Sequence, residues 1–77
     1  MFNQELFSAR LTSLRKTSKI TTVDLAKAIG VSKQAISQFE KCASYPHCRT
    51  LCALADYFDV SLDYLVGRTD NPDSHKR

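Results

Sequence analysis

Between Thr22 and Lys41 the sequence reads TVDLAKAIGVSKQAISQFEK, and the glycine in its middle divides it into two pieces of helical length. In the first piece Val23, Leu25, Ala26 and Ile29 recur near helical spacing. Thr21 precedes them as an N-cap, and Asp24 three residues on completes a capping-box pattern. Gly30 stops this helix, because a residue without a Cβ takes the left-handed conformation at least cost. Val31 is expected to plug the corner from the core side, and Ser32 to cap the next helix. There Ile36 and Phe39 lie three apart on one face, while Lys33, Gln34, Ser37, Gln38 and Lys41 cover the other. Ala26 is small where the two helices must cross closely.

Leu, Ala, Gly, Val and Ile at these offsets form a helix-turn-helix. Its second helix exposes an unusual set of side chains. A solvated helix face commonly alternates Glu with Lys, whereas this one offers Lys, Gln, Ser and Gln, with its single acid, Glu40, near the end. A lysine can donate to guanine O6 and N7, and a glutamine can pair with adenine N6 and N7. A plain polar face on a small bundle is the alternative, but turn pattern, polar face and charge agree on nucleic acid.

The charge is unevenly placed. From Arg10 to Arg49 there are eight basic residues (Arg10, Arg15, Lys16, Lys19, Lys27, Lys33, Lys41, Arg49) against Asp24 and Glu40, a local charge of +6, although the whole chain carries +3. Asp56, Asp59 and Asp63 follow with no base among them. A basic first part and an acidic later helix suit a protein that turns one side to a polyanion.

Seventy-seven residues allow one domain with a small core. No segment reads as a membrane span or signal peptide, so a soluble, cytoplasmic protein is expected. Cys42, Cys48 and Cys52 are an odd number without a C-x-x-C pair, which argues against a disulfide framework. His47, Cys48 and Cys52 offer only an irregular ligand set. Cys48 and Cys52 are placed on the face of Leu51 and Ala55, where cysteine behaves as a small apolar residue. No metal and no cofactor are therefore expected. Nor is an enzyme, since no nucleophile and base stand at reachable spacing, and His75 lies in the tail.

The remaining segments complete an all-α chain. A first helix is expected from Asn3 to about Thr17, with Phe7, Leu11 and Leu14 as its apolar stripe flanked by Arg10 and Arg15. Ile20 acts as a hydrophobic staple before the second helix. Ser44 and Pro46 mark a loop. A fourth helix from about His47 to Phe58 turns Cys48, Leu51, Leu54, Ala55 and Phe58 inward. Ser61 caps a short fifth helix, which Gly67 ends. Residues 1–67 form the domain, and residues 68–77, which include Pro72, form a polar tail expected to fray.

These positions resemble the lambda Cro and repressor type of helix-turn-helix domain, also called the XRE-like family, over about Phe7 to Gly67. The residues that carry the likeness are Arg10-Leu11 and Leu14-Arg15, Leu25-Ala26, Ile29-Gly30-Val31-Ser32, Ile36-Ser37-Gln38-Phe39-Glu40-Lys41, Pro46, and Leu51, Leu54-Ala55, Phe58, Val60-Ser61, Leu65 and Gly67. The resemblance implies a compact five-helix bundle of the lambda-repressor type. Its third helix would enter the major groove of double-stranded DNA, with Lys33, Gln34, Ser37 and Gln38 facing bases. Thr22, Lys41, Ser44 and Tyr45 would face phosphates. The resemblance also implies a pair between Arg15 and Glu40, and a homodimeric transcriptional regulator, repressor-like, on a two-half-site operator. An antitoxin or other protein-interaction module on the same scaffold is the alternative, with the acidic fourth helix facing a protein partner. Family members usually have Gly just after the third helix, where this chain has Cys42. A cysteine held at positive φ there costs on the order of 1 kcal/mol.

Overall fold

The computed structural model describes residues 3–70, and every regular element among them is a helix. The order is α1 (Gln4–Thr17), α2 (Thr22–Ile29), α3 (Lys33–Glu40), α4 (Cys48–Phe58) and α5 (Leu62–Leu65). Four of the five starts are capped by side chains. Asn3, Thr21, Ser32 and Ser61 each accept a hydrogen bond from a backbone N–H three residues on. α4 starts at Cys48, and its N-cap His47 makes no side-chain cap bond.

The helix ends share one geometry. Lys19, Gly30, Cys42, Asp59 and Gly67 all have φ between 57° and 88°. In each case the following residue's N–H reaches back five positions: Ile20 to Arg15 (3.2 Å), Val31 to Ala26 (3.0 Å), Ala43 to Gln38 (2.9 Å), Val60 to Ala55 (3.0 Å) and Arg68 to Asp63 (2.7 Å). This back-bonded turn with a left-handed residue satisfies carbonyls that a helix end leaves open. Only two of the five positions are glycine. At Gly67 a Cβ would also meet the Asn3 Cβ at 2.9 Å, so that glycine answers to packing as well.

The core is Phe7, Leu11, Leu25, Ala26, Ile36, Phe39, Leu54, Ala55, Val60 and Leu65, with Leu14, Ile20, Ile29, Val31, Leu51 and Phe58 partly buried against it. Phe7 and Phe39 meet edge to face, ring centres 6.3 Å apart, which joins α1 to α3. Pro46 is buried beneath the loop between α3 and α4.

Two apolar assignments change. Val23 is 41% exposed, not part of the α2 stripe. It stands about 200° around the helix from Leu25, on the opposite side. Cys48 and Cys52 are both exposed, not inward. Relative to Leu51 they stand roughly 60° and 100° around α4, at the edge of the buried arc and beyond it.

Arg10 also departs from a solvated flank. Its guanidinium lies 4.0 Å over the Tyr64 ring and donates to the Tyr64 carbonyl, to the Thr69 carbonyl (2.7 Å) and to Asp70 (2.8 Å). Residues 68–70 of the polar tail are thus tied to α1, while residues 71–77, with Pro72 and His75, lie outside the described part.

The strain at Cys42 leads to a stability prediction. Cys42→Gly relieves a left-handed penalty of roughly 1–2 kcal/mol and returns about 0.4–1 kcal/mol through the freer unfolded chain. A net gain of roughly 0.5–1 kcal/mol is expected, which is a rise of a few degrees in Tm. Cys42→Ala removes the thiol but keeps the Cβ, and should gain nothing. Calorimetry of the three proteins decides it, and equal Tm for the glycine and alanine variants contradicts the account.

Candidate nucleic-acid interface

The polar face of α3 follows from where its apolar residues are held. Ile36 is fully buried and Phe39 is 6% exposed, which fixes the helix's rotation about its own axis. Lys33, Gln34, Gln38 and Lys41 are then exposed, and Ser37 is half-buried beside them. With Ser32 as cap, Lys33 and Gln34 begin the helix, where successive N–H groups point outward and favour an anion.

Three polar contacts from α1 hold the far end of α3. The buried Ser8 hydroxyl donates to the Phe39 carbonyl at 2.6 Å. The Gln4 amide donates to the Cys42 carbonyl at 3.2 Å. Arg15 donates to both Glu40 oxygens, at 2.5 and 3.2 Å, and also to the Ile20 carbonyl at 3.1 Å. The two partners are only 17% and 13% exposed, and the pair is bidentate, the geometry in which Arg–carboxylate bonding is strongest. Arg15 therefore fixes three things together: the end of α1, the chain before α2, and α3.

The structure arranges the other sequence-derived residues around this helix. Thr22 is half-buried at the first turn of α2. Ser44 is half-buried and Tyr45 is 58% exposed in the loop after α3. Ala26 is 3% exposed at the α2–α3 contact, and Gly30 takes φ 79° with open space where a Cβ would stand. Ser8 and Gln4 are the supporting positions that the sequence did not disclose. A serine next to Phe7 and three residues before Leu11, inside the apolar stripe of α1, was the available signal.

The basic side chains divide into two groups. Arg10 and Arg15 spend their donors on the bundle itself, so the first helix is less of a polyanion surface than its sequence suggests. The positive charge left on the surface includes Lys16, Lys19, Lys27, Lys33, Lys41 and Arg49, all exposed.

Comparison with known proteins gives a consistent set. The family model described as Helix-turn-helix matches residues 11–65. The HTH-type transcriptional regulator YobD of Bacillus subtilis (strain 168) is 40% identical over 68 residues, which is 88% of this chain and 61% of that protein. Repressor protein C2 of Salmonella phage P22 is 39% identical over 64 residues, 83% of this chain and 30% of the repressor. The chain thus spans less than two thirds of either relative. The crystal structure of the P22 c2 repressor in complex with a synthetic operator superposes with a TM-score of 0.79 at 38% identity, covering 83% of this chain and 97% of that one. A transcriptional regulator from Listeria innocua superposes with a TM-score of 0.80 at 27% identity, covering 87% and 63%.

Arg15 and Glu40 supply the prediction for this site. Removing Arg15 leaves Glu40 largely buried and unpaired, and removing Glu40 leaves Arg15 with the Ile20 carbonyl alone, at a cost of about 1–3 kcal/mol. A double-mutant cycle with Arg15→Ala and Glu40→Ala, followed by urea unfolding, should give a coupling energy above about 1 kcal/mol, beyond the range of exposed pairs. Additive losses would show that the pair contributes nothing of its own.

Proposed function

The chain belongs to the helix-turn-helix family, and on that premise we propose that it is a transcriptional regulator that reads double-stranded DNA with α3 in the major groove. The observation that carries the reading is the outward face of α3: Lys33, Gln34 and Gln38 exposed on a helix whose rotation Ile36 and Phe39 fix and whose end α1 holds. Groove reading needs donors and acceptors at set positions, because an adenine edge accepts only a correctly placed amide. The likeness to a repressor whose structure was solved on an operator supports the same reading.

Gln34 and Gln38 take the adenine-reading role, and Lys33 donates to guanine or to a phosphate. Ser37 sits between them as a shorter contact. Thr22, Lys41, Ser44 and Tyr45 meet the backbone on either side of the groove and set the register. The unit that docks is residues 1–67. It acts as a repressor and as a homodimer on two half-sites, since one short helix reads few bases. Tyr57 and Leu62, 44% and 36% exposed, offer apolar surface at the α4–α5 end for a second copy.

The bound state is electrostatic in its non-specific part. Lysines carry most of that part, because Arg10 and Arg15 are engaged inside. Affinity for any duplex should fall as salt rises, with a slope of roughly −0.9 per phosphate contact. A module that serves a protein partner in place of DNA shows no salt-dependent complex with a duplex.

Two variants separate reading from gripping. Gln34→Ala should lower the ratio of operator to random-duplex affinity by about 1–3 kcal/mol at one position of each half-site, and leave random-duplex binding nearly intact. Lys41→Ala should weaken all duplexes alike and reduce the salt slope by about 1. Titration of both variants, on a selected duplex and on a random one, gives the ratio. An unchanged ratio for Gln34→Ala means that α3 does not read bases through that amide.

A further inference from the structure

Cys48 and Cys52 stand one turn apart on α4, and both are exposed. Residues four apart on a helix are neighbours on its surface, so the two side chains stand side by side. Asp56 follows one turn later in the same row and is also exposed. Each step of four residues moves this row about 40° further around the helix, away from the core. Neither thiol is needed for packing, and neither lies on α3.

A disulfide does not fit this pair. An S–S bond needs Cβ atoms about 3.5–4.5 Å apart, whereas residues four apart on a helix keep theirs at about 5–6 Å. One atom bonded to both sulfurs does fit, because two bonds on the order of 2.3 Å reach further than a single S–S bond of about 2.05 Å. A closed metal site has too few donors: among the described residues no group of three or more His, Cys, Asp or Glu could hold an ion. What two thiols can take is a soft centre that brings its remaining bond with it.

We propose that Cys48 and Cys52 form a two-thiol binding site for a thiophilic, trivalent metalloid carrying one organic substituent. With an organoarsenic(III) oxide as the ligand, two As–S bonds form and the As–O bonds break. Both thiol protons leave with the oxygen as water, and no atom changes oxidation state. The Cys52 thiol is held above its ordinary pKa, first by desolvation of the sulfur and then by Cys48 and the charge of Asp56. It keeps its proton at neutral pH, and this reaction releases that proton as water.

The test uses phenylarsine oxide on the full chain, reduced and freed of dithiol, with intact mass and circular dichroism as readouts. One phenylarsenic group per chain is expected at one equivalent, with helical content unchanged and release by an added dithiol. Cys42→Ser should bind as the wild type does. Cys48→Ser and Cys52→Ser should each lose affinity by on the order of 100-fold, the loss of a second linked contact, and the matching alanine variants should do the same. Both positions are exposed, and circular dichroism confirms that each variant is folded. Wild-type affinity in either single variant, a requirement for Cys42, or loss of helix on binding overturns the site.

Discussion

A helix of eight residues does not hold itself together in water, and both α2 and α3 are that short. Such a helix persists only if its ends are closed and one face is packed, and in this bundle the two requirements are met by one device. Each helix ends on a left-handed residue whose successor bonds back to the last turn. In three of the turns that successor is Ile20, Val31 or Val60, which then packs on or in the core. Closing the helix end therefore also sets the direction in which the next segment leaves. The angle between α2 and α3 follows from φ at Gly30 and from the seating of Val31, before any longer-range contact is made.

The second constraint is polar. Four side chains of α1 reach other segments: Gln4 and Ser8 bond the carbonyls at the end of α3, Arg15 clasps Glu40 and the Ile20 carbonyl, and Arg10 takes the end of the chain. A helix C-terminus exposes carbonyls that need donors, and α1 supplies them. The arrangement has an electrostatic consequence. Two arginines that look like polyanion contacts in the sequence are consumed by the fold, so the positive charge left exposed is carried largely by more flexible lysines. A lysine is a point charge and fixes orientation less well than a bidentate arginine.

Much of this was legible. Thr21, Ser32 and Ser61 cap helices as their residue types suggest, and Gly30 and Gly67 mark left-handed ends. Lys19 and Asp59 were not read as such ends: lysine does not advertise positive φ, and aspartate, which takes it more readily, carries the signal less plainly than glycine; the better sign was the apolar residue after each. Cys42 stood out only through the resemblance, by occupying a position where relatives carry glycine. Val23 was misplaced by counting apolar residues without their angle around the helix. Cys48 and Cys52 were misplaced for a related reason. A row four residues apart stays on one face for a turn and then drifts off it, and cysteine's hydropathy hides the drift. The exposure of the polar α3 face was legible, and so, through the resemblance, was the Arg15–Glu40 pair; the Ser8 and Gln4 contacts were not, because they act through backbone carbonyls that have no sequence signature.

The separation between support and surface bears on how such a domain can change. Ile36 and Phe39 fix α3 from below, Glu40 fixes it from the side, and the Gln38 carbonyl closes its end. The exposed side chains of Lys33, Gln34 and Gln38 lie outside that scaffold. Exposed substitutions away from caps and buried networks usually alter stability by no more than about 0.5 kcal/mol. Three positions on the outer face can therefore vary while the helix keeps its place and its angle. Ser37, half-buried between Gln34 and Gln38, is different: a larger residue there would press on the turn that Ile36 anchors. Such a face is adjustable at its exposed positions and fixed at its seam. A short helix can hold both properties only because its rotation is set by residues buried beneath that face.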